Sequence, residues 1–334
     1  MRSSLKKLAV AAGLTATLLA GCTASGSTAS PTSAGAGAQV IRIASLKGPT
    51  TMGLVELMAD ADQGTARHHY QVTMSGTPDE VVPKLTSGQF DVALLPANLA
   101  AVLFNRTQGK VQVAAINTLG VLDLVQNGTG VNDWSDIKGR TIYSSGKGTT
   151  PEYTLRYLLT ANGINPDTDV TIEYRSESTE LAGLLAAKPD AVGVLPQPFV
   201  TTLQAKAPTV RTVLSLSDAW DRSTRDSRMI TGVLVVRTDW AAANKILFND
   251  FLADYQASTK FTNDNPAQAA PLIVKAGIAP DEQTAIQAIP SCHITYLAGT
   301  DLKSSLGGYL RVLYTANPDS VGGTLPGDGF YYQP

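Results

Sequence analysis

From residue 40 onward, short apolar runs alternate with segments whose apolar residues recur at helical spacing. Val40-Ile41-Arg42-Ile43-Ala44-Ser45 predicts a strand, Lys47-Gly48-Pro49 a turn, and Leu54, Leu57 and Met58 a helical stretch from Thr50 to Ala59. Tyr70 to Met74 predicts a second strand. Thr77-Pro78-Asp79-Glu80 has the form of a capping box, with Pro at the first helical position, and opens a helix that ends near Ser87-Gly88. Phe90 to Pro96 predicts a third, buried strand and Asn98 to Asn105 a further helix. This βαβαβα order implies a parallel sheet with helices on both faces.

The same order returns about one hundred residues later. Ser45, Lys47, Gly48 and Thr50 match Ser145, Lys147, Gly148 and Thr150; Glu80 matches Glu180; Leu95, Pro96 and Leu103 match Leu195, Pro196 and Leu203. Arg140 to Tyr143, Val170 to Tyr174 and Asp190 to Pro196 take the strand positions, and Thr149 or Thr150 caps a helix carrying Pro151 and Glu152. The pattern predicts an α/β fold of two similar lobes, each a mostly parallel sheet flanked by helices. Val111 to Val125 crosses between them and Ile230 to Val236 returns, with Asn117, Thr118 and Gly232 as hinge positions. Helices are expected over Asp239 to Thr262, Pro266 to Lys275, Asp281 to Ile289 and Leu302 to Ala316. The aromatics Phe330-Tyr331-Tyr332 are expected to dock onto a lobe.

The chain before residue 40 has a different character. Arg2, Lys6 and Lys7 precede an apolar stretch from Leu8 to Ala20, too short for the roughly 20 residues of a membrane span. Leu19-Ala20-Gly21-Cys22 resembles the bacterial lipobox, in which the chain is cleaved before the cysteine and the cysteine is acylated, with palmitate among the expected chains. Thr23 to Gln39 is uncharged and rich in Ser, Thr, Ala and Gly, the composition of a tether. The expected organisation is a signal peptide over 1–21, a tether over 22–39, the first part of lobe one over 40–118, lobe two over 119–232, and the return of lobe one with C-terminal helices over 233–334.

Composition sharpens this picture. The 334 residues carry 26 Lys and Arg against 28 Asp and Glu, and three of the basic residues lie in 1–21, so the processed chain counts 23 against 28. An acidic chain without a basic run excludes nucleic acid as the main partner. Two cysteines exclude a disulfide framework. With Cys22 acylated, Cys292 is left as a small buried hydrophobe.

In open α/β sheets ligands bind beyond the carboxyl ends of the strands. The residues there, with Asn117 at the crossing, make the expected ligand-binding set: Lys47, Thr50, Thr51, Thr77 and Asn98 in lobe one, and Ser145, Gly146, Lys147, Thr149, Thr150 and Gln197 in lobe two. Helix N-termini supply N–H donors and the two lysines formal charge, so a small anionic or polar ligand is expected in a locally positive cleft. Each threonine is equally suited to capping a helix. No cofactor and no metal are expected.

Catalytic patterns fail. Ser144-Ser145-Gly146-Lys147 satisfies Ser-x-x-Lys but lacks the partner motifs of the serine acyl enzymes. Gly146-Lys147-Gly148 lacks the spacing and the hydroxyl residue of a phosphate loop. His68-His69 is a poor ligand pair, because adjacent strand residues face opposite sides.

The lipobox, the tether, the two lobes and the helical return together resemble the substrate-binding proteins of ABC importers with the type II periplasmic-binding fold. Lys47-Gly48-Pro49-Thr50, Leu95 to Ala100, Trp134 to Tyr143 and Leu195 to Phe199 are similar to the branch serving nitrate, taurine, alkanesulfonates and thiamine precursors. The resemblance implies no enzymatic activity and a lipid-anchored monomer at the outer face of the cell membrane. It also implies that ABC permease and ATPase subunits are the partners that receive a captured ligand. The alternative is a surface enzyme on the same scaffold.

Overall fold

The structure, a computed structural model, describes residues 39–334. The expected signal peptide, Cys22 and nearly all of the tether lie outside the described residues. Among the described residues no helix is long and apolar enough to cross a membrane.

The chain builds two sheets. Strand β1 (Val40–Leu46) leads through the four-residue helix α1 (Pro49–Met52) and α2 (Val55–Gln63) to β2 (His69–Ser75), then α3 (Pro78–Thr86), β3 (Val92–Pro96) and α4 (Ala97–Arg106). After β4 (Val111–Leu119) the chain crosses to the second sheet with β5 (Leu122–Asn127), β6 (Thr141–Ser145), α5 (Thr150–Ala161), β7 (Thr171–Arg175), α6 (Ser178–Ala187), β8 (Val192–Pro196), α7 (Phe199–Lys206), β9 (Val210–Ser215) and α8 (Leu216–Ser223). It returns in β10 (Ile230–Arg237). Helices α9 (Thr238–Ala243), α10 (Lys245–Asp264), α11 (Pro266–Lys275) and α12 (Glu282–Ala288), strand β11 (Ile294–Leu297) and helix α13 (Gly299–Ala316) complete the molecule.

Lobe one holds a six-stranded sheet ordered β11-β4-β10-β3-β1-β2, and lobe two a five-stranded sheet ordered β7-β6-β8-β5-β9. In each lobe the first three strands of the repeated unit are parallel, β1 with β2 and β3, and β6 with β7 and β8. The crossing strands pair antiparallel to them. This is the two-lobed architecture expected from the alternation of elements.

Several local expectations change. The helical stretch over Thr50 to Ala59 is two helices, because the chain breaks at Gly53 and Leu54. A Cβ at Gly53 would lie 2.9 Å from Thr259 Oγ1, so α10 packs where a straight helix would pass. The stretch over Asp239 to Thr262 divides at Asn244 into α9 and α10. Helix α3 starts after Thr77 as the motif implies, but the Thr77 side chain makes no capping hydrogen bond. Asn117, Thr118 and Gly232 sit inside the paired strands β4 and β10. The sheet-to-sheet passages lie instead at residues 120–121 and 224–229.

The core explains why the lobes stand as they do. Phe248, Phe251 and Tyr255 on one face of α10 are fully buried against lobe one, each contributing roughly 1.5–3 kcal/mol of burial. Helix α13 lies against both lobes. Its Tyr309 ring is 5.0 Å from Trp220 of α8, which is 4.9 Å from Tyr157 of α5. Phe330, Tyr331 and Tyr332 are buried, and Tyr332 N donates to the Val113 carbonyl of β4 at 2.9 Å. The aromatic tail thus docks onto lobe one. Cys292 is fully buried in an apolar cluster, and burial pushes its thiol well above the usual range.

Candidate functional site

The carboxyl ends of β1, β2 and β3 in lobe one face those of β6, β7 and β8 in lobe two across a cavity of about 120 Å³. Lobe one contributes Leu46, Lys47, Pro49, Thr50, Gly76, Pro96 and Thr231 to its wall. Lobe two contributes Leu122, Ser145, Gly146, Thr149, Thr150, Glu177 and Pro196, among others. The volume is below the ~300–1,000 Å³ typical of clefts for drug-sized ligands, so the space suits a ligand of few heavy atoms. The lobes touch around it. Thr150 Oγ1 donates to Asn98 Oδ1 at 3.3 Å, and a Cβ on Gly76 would fall 2.5 Å from Glu177 Oε1.

The walls are shaped by hydroxyl chemistry. In lobe one, Thr50 Oγ1 and Thr51 Oγ1 donate to the Leu46 carbonyl at 3.0 and 2.5 Å, and the Ser45 hydroxyl bonds that of Thr51. These bonds hold α1 against the end of β1. In lobe two, Thr149 Oγ1 donates back to the Gly146 carbonyl at 2.6 Å, and Glu152 Oε2 accepts from Gly148 N at 2.6 Å. The Thr149 side chain therefore makes no capping bond at the start of the twelve-residue α5. The terminal N–H groups of α5 stay free of a side-chain cap at the cavity, the arrangement that favours an anionic or polar oxygen.

Of the residues expected from the sequence, the cavity brings together Lys47, Thr50, Ser145, Gly146, Thr149 and Thr150. The others lie elsewhere. Lys147 Nζ sits over the Tyr174 ring, 5.8 Å from its centroid, and does not line the cavity. Thr51 of α1 is fully buried, and Thr77 stands outside the lining. Asn98 is buried and spends its Nδ2 on the Ser320 carbonyl at 2.9 Å. Asn117 is buried in β4, where its Oδ1 accepts from Thr118 Oγ1 at 2.9 Å. Gln197 Nε2 donates to Asp123 Oδ2 at 3.2 Å while Gln197 Oε1 accepts from Thr201 Oγ1 at 2.8 Å, which fixes the β8–α7 turn.

Glu177 and Thr231 are among the lining residues outside the expected set. Glu177 follows β7 and adds a carboxylate residue to the lining that also holds Lys47, so the wall is of mixed sign and not simply positive. Its signal in the sequence was its place one repeat length after Thr77. Thr231 opens the return strand β10, and its buried hydroxyl has no hydrogen-bond partner among the described residues. Only the pairing of β10 with β3 and β4 brings it to the cleft, and no local pattern announces that. The nearby Asp123 is largely buried, and burial raises its pKa to about 6 although the Gln197 amide opposes the shift.

A larger groove of about 1250 Å³ runs between α5 and α13, lined by Tyr153, Tyr157, Arg311 and Pro318 among others. It lies along helix flanks, away from the strand ends, and lacks the convergence of both repeated units. Neither His68 nor His69 belongs to a site: His68 Nε2 bonds Asp250 Oδ2 at 2.8 Å and His69 is exposed. Among the described residues no cluster of His, Cys, Asp and Glu is disposed to hold a metal ion.

The model of a family described as "ABC transporter, phosphonate, periplasmic substrate-binding protein" matches residues 54–288. A Brucella abortus (strain 2308) chain named only as a binding protein is 26% identical over 167 residues, 50% of each chain. The chain thus spans about half the length of the curated relatives it matches. The crystal structure of an ABC transporter protein from Parabacteroides distasonis is 26% identical, with a TM-score of 0.71 over 88% of this chain and 99% of that one. The periplasmic aliphatic sulphonate binding protein SsuA of Escherichia coli shares the fold at 13% identity, with a TM-score of 0.68 over 88% of this chain and 92% of that one.

Proposed function

Because the chain belongs to the phosphonate-binding family of ABC transporter substrate-binding proteins, we propose that it is the solute receptor of an ABC importer. It captures a small anionic or polar ligand between its two lobes and hands it to permease and ATPase subunits, without chemistry on the ligand. Acylated Cys22 holds it as a monomer at the outer face of the cell membrane. The observation that carries this reading is the cavity itself, where both copies of the repeated unit present their strand ends to one small space.

The mixed charge of the wall refines the ligand. Lys47 and the uncapped start of α5 favour an oxyanion, and Glu177 disfavours a second anionic group beside it. Closing two lobes on such a ligand removes water and strengthens each hydrogen bond it makes. The test is mass spectrometry of ligand released from the purified protein, followed by thermal unfolding with that compound returned. At about 100 times its dissociation constant a true ligand adds about 2.7 kcal/mol to stability. A returned compound that leaves the unfolding transition unmoved contradicts the receptor reading.

A further inference from the structure

Asn98 stands behind the cavity wall and reaches from one lobe to the other. It is the second residue of α4 in lobe one and is fully buried. Its Nδ2 donates to the Ser320 carbonyl at 2.9 Å and to the Gly148 carbonyl at 3.4 Å, while its Oδ1 accepts from Thr150 Oγ1 at 3.3 Å. A carbonyl only accepts, so its two carbonyl partners fix which end of the amide is nitrogen and leave the oxygen to the Thr150 hydroxyl. The Ser320 bond is part of a clasp within lobe one. Two turns along α4, Asn105 Nδ2 donates to the Val321 and Thr324 carbonyls at 2.8 and 2.7 Å, so both amides grip the same C-terminal turn. The other two bonds of Asn98 cross to the loop that opens α5 in lobe two, the loop that sets Thr149 and Thr150 on the cavity. There Gly148 has a left-handed backbone, φ 75°, and its N–H is taken by Glu152 Oε2, so its carbonyl is what it offers to Asn98.

The repeat supplies a second crossing for comparison. One hundred residues earlier, a Cβ on Gly48 of lobe one would lie 3.3 Å from the ring of Phe199, the first residue of α7 in lobe two. Each unit thus lays its glycine turn on the start of a helix in the opposite lobe, α7 or α4. The Gly48 crossing is an apolar contact with no preferred direction. The Gly148 crossing is made of directional hydrogen bonds, and Pro198 stands where the repeat of Asn98 would be, so that chemistry occurs once.

We propose that Asn98 is the latch of lobe closure: without lining the cavity, its amide holds the Gly148–Thr150 loop where a ligand meets it. This rests on the receptor reading, in which the lobes part to admit a ligand. When they part, Thr150 Oγ1 and the Gly148 carbonyl turn to water and Asn98 stays with Ser320. Both crossing bonds are long, so each is weak enough to break in opening, and together they bias the balance between open and closed lobes. Asn98 is a positioning residue, acting on the ligand through the loop.

The test places spin labels at Asp79→Cys and Gly183→Cys in the full chain and reads their separation by pulsed dipolar spectroscopy, after bound ligand has been removed by unfolding and refolding. Both positions are exposed, on α3 and α6 of opposite lobes, a Cβ on Gly183 meets nothing within 4 Å, and Cys292 is fully buried. Intact mass confirms two labels per chain. The parent chain is expected to populate the separation seen in the structure. Asn98→Ala is expected to deplete that population several-fold in favour of longer separations. Thr150→Val, which leaves α4 and its clasp intact, is expected to do the same. Asn105→Ala loosens the clasp without reaching lobe two, and is expected to lower the unfolding temperature while leaving the separation unchanged. A closed population that is absent from the parent chain, or that survives both Asn98→Ala and Thr150→Val, overturns the latch. So does an Asn105→Ala chain that opens as far as Asn98→Ala, because the C-terminal turn would then be the cause. No ligand enters these measurements, so the latch fails or stands separately from the receptor reading, which the returned ligand tests.

Discussion

Two segments one repeat apart, Ser45 to Thr51 and Ser145 to Pro151, begin from nearly the same sequence and reach different geometries. In lobe one Leu46 continues β1, the chain turns at Gly48 (φ 133°), and Lys47 stays on the cavity wall. In lobe two the residue after the serine is Gly146, whose φ of 71° turns the chain two residues earlier. Lys147 then swings onto the Tyr174 ring. The serines diverge for a related reason. Ser45 bonds Thr51, but the matching position is Pro151, and Ser145 finds Ser178 of α6 at 3.1 Å. A repeat fixes where a loop stands, while single substitutions inside it decide which side chain enters the site.

The largest expected difference between the lobes is in stability. Asp91 is fully buried at the foot of β1, accepting from Arg42 N, Nε and Nη2 at 3.0, 3.0 and 2.6 Å. In lobe two the repeat puts Ile142 and Ala191 at these positions, and the nearby Arg140 side chain bonds only carbonyls, those of Asp136 and Gly130. Asp91→Ala is expected to cost about 2–3 kcal/mol in denaturant unfolding, and Asp190→Asn to stay within about 0.5 kcal/mol. Equal costs would erase the contrast.

The next effect is on affinity. Lys47→Ala is expected to weaken ligand binding by roughly tenfold or more, the scale of one charge-assisted hydrogen bond, while Lys147→Ala leaves it within about twofold. Calorimetric titration of both variants with the identified ligand decides this. The reverse ranking would return Lys147 to the site.

Much of this was legible in the sequence. The βαβ alternation, the hundred-residue repeat and the punctuation at Thr77-Pro78 locate most elements of both units, because turn chemistry and periodicity act locally. The breaks at Gly53 and Asn244 were not legible, since the apolar spacing runs on through them and contacts with distant chain decide them. Strand β9 and helix α8 carry no clear periodic signal, although Ser215 caps α8, accepting from Asp218 N at 3.2 Å. At the candidate cavity, the strand ends follow from the alternation of elements, but the replacement of Lys147 by Glu177 and Thr231 in the lining depends on loop conformation and long-range strand pairing.

A third contrast is pH-dependent. Gln197 of lobe two occupies the position of Ala97 in lobe one and brings its amide to the largely buried Asp123. Burial raises the folded-state pKa of Asp123 from 3.8 to about 6, so the folded state holds this proton more tightly than the unfolded chain. Its contribution therefore favours folding below about pH 4, declines as pH rises to about 6, and is constant above that. Asp123→Asn is expected to remove this slope and raise stability at pH 7.5 by on the order of 1–2 kcal/mol. Unfolding curves at pH 4.5 and 7.5 test it, and an unchanged slope would contradict the assignment.

The smallest effect concerns the turn bond Thr149–Gly146, which lobe one replaces with the ring of Pro49. Thr149→Val is expected to cost about 1 kcal/mol, measurable by thermal unfolding. No cost would mean the Gly146 turn holds without it.

The most direct test of the account is a crystal structure of the protein with the ligand identified from its own preparation. The account predicts the ligand between Lys47 and Glu177, touching the Thr50 loop of lobe one and the Thr149-Thr150 end of lobe two. A ligand seated in the groove between α5 and α13, or contacting one lobe only, would contradict it.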